Sequence, residues 1–135
     1  MNDQNKSKRG VIMPKLTVDG KTIGVAAGKR LVLAIEASGV NIGHRCGGNA
    51  RCTTCRVQFL NGEPQQMTRA EYQKLKERDL FGKFRLSCQI VCDHDMEVMP
   101  QMTMESEGWS DTGPAPEPIV MPQADWFSIE QLKSG

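Results

Sequence analysis

Long apolar runs are missing from this 135-residue chain, whose hydrophobic content is 39%. No stretch approaches the ~20 consecutive apolar residues that a membrane-spanning helix needs, so no membrane insertion is expected. Aromatic residues are scarce as well: two Trp, one Tyr and four Phe, with Trp109, Trp126 and Phe127 all beyond residue 100. So little stacking surface beside the basic residues argues against nucleic-acid binding. The basic opening MNDQNKSKRG runs into VIMPKLTVDG without an apolar core segment or a small-residue cleavage site. That reads as the absence of a secretory signal, hence a cytoplasmic protein whose thiols are reduced or metal-bound. Glycine and charge contents are ordinary, which excludes a collagen-like or wholly disordered chain.

Net charge is also nearly absent, at +1, but it conceals an asymmetry. Residues 1 to 100 hold 16 of the 17 Lys and Arg and 10 of the 16 Asp and Glu, a balance of +6. Residues 101 to 135 hold one Lys against six acids, a balance of −5. Four of the seven prolines fall between Pro114 and Pro122, a spacing that no helix or central strand tolerates. The expected organisation is a mobile N-terminus over 1–10, one folded domain over 11–100, and an acidic, proline-rich tail over 101–135. Within the tail, ADWFSIEQLKSG (124–135) sets Trp126, Phe127, Ile129 and Leu132 around a Ser128-x-x-Gln131 capping box, a candidate docking segment.

Along the body, Leu16 and Val18 alternate with polar residues, Asp19-Gly20 supplies a tight turn, and Ile23 and Val25 return on one face, which predicts a β-hairpin. The run RLVLAIEAS places Leu31, Ala34, Ile35 and Ser38 at helical spacing, with Gly39 at the expected C-terminal stop. Residues 40–55 contain three glycines, three cysteines and no periodicity, so a long loop is expected there. Val57 and Phe59 then alternate up to Asn61-Gly62. Thr68-x-x-Glu71, with Met67 and Tyr72 as a hydrophobic staple, opens a second helix to about Asp79. Arg85–Ile90 and His94–Met99 read as short strands. The order implies an α+β fold with one sheet and helices on one face.

Cysteine is what the chain does have. Cys46, Cys52 and Cys55 form C-x5-C-x2-C, and Cys88 follows after 32 intervening residues. Three thiolates on one loop and a distant fourth suit an iron-sulfur cluster, because the loop wraps the cluster and a later segment closes the cage. Gly47, Gly48 and the small residues Ala50, Thr53 and Thr54 let backbone N–H groups approach the sulfurs. Structural zinc sites favour two C-x2-C knuckles, and only one is present. His44 and His94 lie outside Rieske-type spacing and read as surface histidines. Cys92 reads as a packed strand residue rather than a ligand. Met96, Met99, Met102 and Met104 read as a strand edge and its exit rather than a copper site.

CGGNARCTTCRV followed by RLSCQ resembles the cluster loop and fourth-ligand segment of 2Fe-2S ferredoxins, specifically the adrenodoxin-like branch, whose first spacing is five residues. The likeness runs over about residues 15–99. It implies a β-grasp fold, with a mixed sheet, a packed helix and an irregular cluster-binding loop. It also implies a 2Fe-2S cluster on Cys46, Cys52, Cys55 and Cys88, with Cys46 and Cys52 on the iron nearer the interior. The implied function is one-electron transfer without a catalytic site, between a reductase and an electron acceptor. The alternative is a dedicated iron-sulfur subunit held in a larger complex through the tail. Two features depart from the adrenodoxin pattern: the second helix carries Arg69, Lys74, Lys76 and Arg78 where an acidic docking face is usual, and the acidic tail is additional. Arg45, Arg51 and Arg56 flank ligand positions. They are expected either to raise the potential above ~−400 mV while leaving it negative, or simply to face solvent or pair with acids.

Overall fold

The computed structural model describes residues 13–134; the expected N-terminal segment 1–10 lies outside them. The hairpin forms as its turn chemistry demands. Strand β1 (Lys15–Val18) pairs antiparallel with β2 (Lys21–Gly24), and Val18 stands opposite Lys21. Asp19 and Gly20 make the two-residue turn with φ of 50° and 85°, the doubly left-handed geometry that matches strand twist. A short strand β3 (Lys29–Arg30) leads into α1 (Leu31–Ala37), which buries Leu31, Val32, Ala34 and Ile35 and stops at Gly39, φ 100°.

After the long loop come β4 (Arg56–Asn61), β5 (Gln66–Thr68) and α2 (Arg69–Glu77). Thr68 caps α2 by accepting the Glu71 N–H at 3.1 Å, worth about 1 kcal/mol in a typical helix. The reciprocal half of the box does not form, because the Glu71 carboxylate is turned inward to Arg85 and the Leu86 N–H. Then follow β6 (Arg85–Leu86), a 3-10 turn over Ser87–Gln89, β7 (Val91–Cys92) and β8 (Met96–Pro100). The expected continuous strand over Arg85–Ile90 is therefore broken. Ser87 donates both its N–H, at 3.2 Å, and its hydroxyl, at 2.8 Å, to the Cys55 carbonyl, which bends the chain so that Cys88 meets Cys55.

The main sheet has the order β2-β1-β8-β4-β6; β1 and β8 are parallel and the other pairs antiparallel. Such a mixed sheet with helix α1 packed on it is the α+β, β-grasp arrangement expected from the sequence. β3 and β7 form a separate antiparallel pair beside α1. The core joins Leu16, Val18, Leu31, Ile35, Val57, Leu86 and Val98 between sheet and helix.

The segment beyond Pro100 packs along the body. Thr103 bridges to Ile42, and the short helix α3 (Met104–Glu107) ends at Gly108. The chain crosses the cysteine loop, and β9 (Trp126–Ser128) pairs antiparallel with β5 before α4 (Ile129–Ser134). The predicted Ser128/Gln131 box forms in both directions, at 3.1 and 2.9 Å. Leu132 is buried, and Phe127 and Ile129 pack on the core, so three of the four apolar residues of the candidate docking segment lie on the chain's own body, whereas Trp126 stays exposed.

Candidate functional site

The loop from Val40 to Cys55 has no ladder to hold it, and its shape is set by left-handed residues. Gly47 and Gly48 have φ of 76° and 81°, and Ala50 and Thr53, at 58° and 57°, are held there despite their side chains. The turns aim successive N–H groups at sulfur. Asn49 and Arg51 donate to the Cys46 sulfur at 3.3 and 3.4 Å, and the Cys46 N–H donates to the Cys52 sulfur at 3.3 Å. The Thr54 hydroxyl lies 2.9 Å from the Cys52 sulfur, and the Gln89 amide donates to the Cys88 sulfur at 3.7 Å. This is the approach expected of the small residues in the loop.

All four predicted cysteines are brought together, as two pairs. Cys46 lies beside Cys52, and Cys55 beside Cys88, each pair close enough for its two thiols to perturb one another. The hydrogen bond from Cys52, supported by the backbone donors of Arg51 and Asn49, holds the Cys46 thiol down at about 4. Within the second pair the hydrogen bond from Cys55 likewise lowers Cys88, while Cys55 is pushed up. Among the described residues no three metal-binding side chains converge on one point, as they would around a single ion. Two facing thiol pairs with N–H donors turned toward the sulfurs fit a two-iron cluster with anionic sulfur better than a tetrahedral zinc.

One expectation is reversed. Cys55 and Cys88 are buried, while Cys46 and Cys52 are half-buried, so the Cys46/Cys52 pair is the outer one. The reason is local: Cys46 and Cys52 ride on the loop, whereas Cys55 abuts β4 and Cys88 sits in the 3-10 turn between core strands. His44 is not a surface histidine either. It is buried, with Nε2 2.6 Å from the Glu36 carboxylate and 3.1 Å from the Thr112 hydroxyl. His94 is exposed and bridges Asp93 and the Gly62 carbonyl. Cys92 is buried away from the four, its thiol pushed up to about 12 by burial and by Asp93.

The flanking arginines divide. Arg45 lies over the Trp109 ring at 5.1 Å and meets Asp111 at 3.4 Å, and Arg56 donates to Thr53 at 3.0 and 2.7 Å. Arg51 is exposed. The cation that does reach the cysteines is Arg30, which the motif spacing does not single out. It is fully buried and donates to the carbonyls of Cys88, Gly48 and Glu117. Burial lowers its pKa, and the sulfurs of Cys88, Cys55 and Cys46 oppose that shift. A signal was present: Arg30 precedes Ala34 by four positions, so it extends the apolar stripe of α1 with a charge.

The C-terminal segment is the second part of the site that lies outside the cysteine motif. A Cβ on Gly43 would lie 2.7 Å from the Trp109 ring, and one on Gly48 would lie 2.9 Å from Pro116. A Cβ on Gly113 would come equally close to the His44 and Arg45 backbone. Gln89, next to Cys88, also donates to the Met121 carbonyl at 2.7 Å. The segment thus lies across one flank of the loop, leaving Arg51 exposed on the other.

Residues 16–93 match the family of 2Fe-2S iron-sulfur cluster binding domains, and the chain belongs to that family. It is therefore a 2Fe-2S protein domain. Among relatives, one subunit of the Na(+)-translocating NADH-quinone reductase of Chlamydia felis is 33% identical over 97 residues, 70% of this chain and 22% of that protein. The corresponding Chlamydia pneumoniae protein is 32% identical over 91 residues, 65% of this chain and 20% of that one. The chain thus spans about a fifth of the length of these relatives. Among solved structures, the ISC-like 2Fe-2S ferredoxin of Pseudomonas putida superposes with a TM-score of 0.53 at 22% identity, over 64% of this chain and 91% of that one. The Amycolatopsis cytochrome P450 reductase GcoB superposes with a TM-score of 0.51 at 25% identity, over 78% of this chain and 28% of that one.

Proposed function

We propose that this chain is a one-electron carrier without a catalytic site of its own, and that Cys46, Cys52, Cys55 and Cys88 hold its 2Fe-2S cluster. The single observation that carries the reading is the meeting of these four thiols, as two pairs, beneath a loop whose N–H groups point at sulfur. When bound, the cluster supplies a site that accepts and returns one electron. The chain's own part is to aim N–H groups at the sulfurs, to exclude water from the Cys55/Cys88 side and to leave the Cys46/Cys52 side near the surface for a partner. No proton transfer or substrate pocket is required.

The partners on this reading are a reductase and an electron acceptor, met briefly in the cytoplasm. Arg51 and the basic residues of α2 would steer an acidic partner, with rates that fall as salt rises. The C-x5-C-x2-C spacing supports placement in the adrenodoxin-like branch. The functional units are the ferredoxin domain 11–100 and the segment 101–135, the latter a cover on one flank of the cluster loop. A second reading, a fixed component of a larger complex, is supported by the quinone reductase relatives, in which the matching region is about a fifth of a longer chain.

Absorption and electron paramagnetic resonance spectra of the purified protein test the central claim. A red-brown protein with a reduced 2Fe-2S signal is expected, and serine at any one of the four positions should weaken or abolish it. A colourless zinc protein, or a Cys88→Ser variant with an unaltered spectrum, refutes the ligand assignment. Co-purification with the intact chain separates a transient carrier from a fixed component.

A further inference from the structure

Arg30 is a charged side chain wholly removed from water, and the acceptors of its hydrogen bonds are all neutral carbonyls: Cys88, Gly48 and Glu117. Carbonyl oxygens satisfy N–H groups but do not cancel a net charge. Taking a guanidinium out of water costs free energy that only an opposing charge at short range recovers. Among the described residues no carboxylate forms an ion pair with it; the exposed Glu117 carboxylate opposes its charge less than the cysteines do, in contrast to the buried Arg85, which has Glu71 and Glu63. What surrounds Arg30 is the cysteine cage: it grips the carbonyl of one predicted ligand and the loop carbonyl two residues after another. Its position is fixed from three directions, by β3 against β7, by the cluster loop and by the C-terminal segment.

We infer that Arg30 is the built-in counter-charge of the iron-sulfur centre, a positioning residue that stabilises the reduced state and ties cluster retention to closure of the C-terminal segment. The inference rests on the ligand assignment above. A cluster held by four thiolates gains one negative charge on reduction, so a fixed, unscreened cation at this place favours the reduced form. Arg51, exposed to water one residue from Cys52, is screened and contributes much less. Without a cluster the same buried cation has only the exposed Glu117 carboxylate, beyond ion-pair distance and screened by water, to oppose it and is a liability to the fold.

The test compares wild type, Arg30→Met, Arg30→Lys and Arg51→Gln as full-length, cluster-loaded proteins, by redox titration and by the rate of cluster loss to a chelator. Cluster-free samples are compared by urea unfolding. Expected are a more negative midpoint and faster cluster loss for Arg30→Met, a midpoint nearer wild type for Arg30→Lys, and little change for Arg51→Gln. Cluster-free Arg30→Met should be at least as stable as cluster-free wild type. An Arg30→Met protein with full cluster absorption and an unchanged midpoint overturns the inference. So does a shift in Arg30→Lys as large as in Arg30→Met, which would assign the effect to hydrogen bonding alone. If Arg30→Met takes up no cluster, Arg30→Gln, which keeps N–H donors for the same carbonyls, replaces it with the same outcomes. Failure of the ligand assignment is distinct, since it appears as an unaltered spectrum in Cys88→Ser.

Discussion

The carboxylate of Glu71 receives the Arg85 guanidinium at 2.7 and 3.1 Å and the Leu86 N–H at 2.8 Å, with both side chains buried. This joins the first turn of α2 to β6, the strand that leads into Cys88. Glu71→Gln should therefore be strongly destabilising, by roughly 3–5 kcal/mol, because it leaves a buried guanidinium with only the exposed Glu63. Replacing both partners with apolar residues of similar volume should cost far less. Urea unfolding of the loaded proteins measures both, and equal losses would remove the charge-pair explanation.

Cys92 should behave as an inert core thiol. Its burial and its thiol pKa of about 12 predict negligible alkylation of the folded protein at neutral pH. Cys92→Ser should retain the full cluster spectrum. Rapid labelling of Cys92 in the native state contradicts this placement.

The closure of the C-terminal segment depends on Gly113. Its φ is 112°, and an added Cβ would come within 2.7 Å of the His44 carbonyl oxygen and the Arg45 Cα. Both are backbone atoms that cannot yield by a rotamer change. Gly113→Ala should lift the segment from the loop, seen as faster proteolysis between residues 103 and 125 and faster chelator extraction of the cluster.

Leu132→Ala probes the other anchor of the same segment. Leu132 is 6% exposed and joins the main core, so its truncation should cost about 2–5 kcal/mol locally. Hydrogen exchange should quicken in β9 and α4 ahead of the main sheet. Uniform acceleration across the sheet would show instead that the segment is part of the global folding unit.

His94 gives a pH dependence of known sign. The Gly62 carbonyl accepts from Nε2 at 2.7 Å and Asp93 lies 2.6 Å from Nδ1, so both ring nitrogens face acceptors and the doubly protonated ring is favoured. The folded pKa is therefore raised above the ordinary value near ~6.5. The stabilisation is complete below ~6.5 and is lost as pH rises through the folded pKa. The difference in urea midpoint between wild type and His94→Gln should shrink from pH 6 to pH 8, and a constant difference would exclude His94.

Much of the body is legible in the residues because its signals are local. The Asp19-Gly20 turn, the stripe of α1 and the Thr68 cap each need only neighbours along the chain, and each forms where expected. The break at Ser87–Gln89 is less legible, since it depends on the Cys55 carbonyl more than 30 residues away. The charges divide for the same reason: Arg45, adjacent to Cys46 in sequence, takes the second of its two expected courses and turns to Trp109 and the acid Asp111, while Arg30, far away in sequence, enters the cage.

The sequence by itself determined the identity and spacing of the four cysteines, the small residues between them and hence the class of cofactor, because thiolate chemistry and loop reach are properties of a short stretch of chain. Only the tertiary structure decided which thiol pair lies outward, which arginine reaches the cysteines, and that an acidic tail packs across the cysteine loop. Those outcomes depend on burial and on charge at short range, and both are set by segments the chain brings together only when it folds.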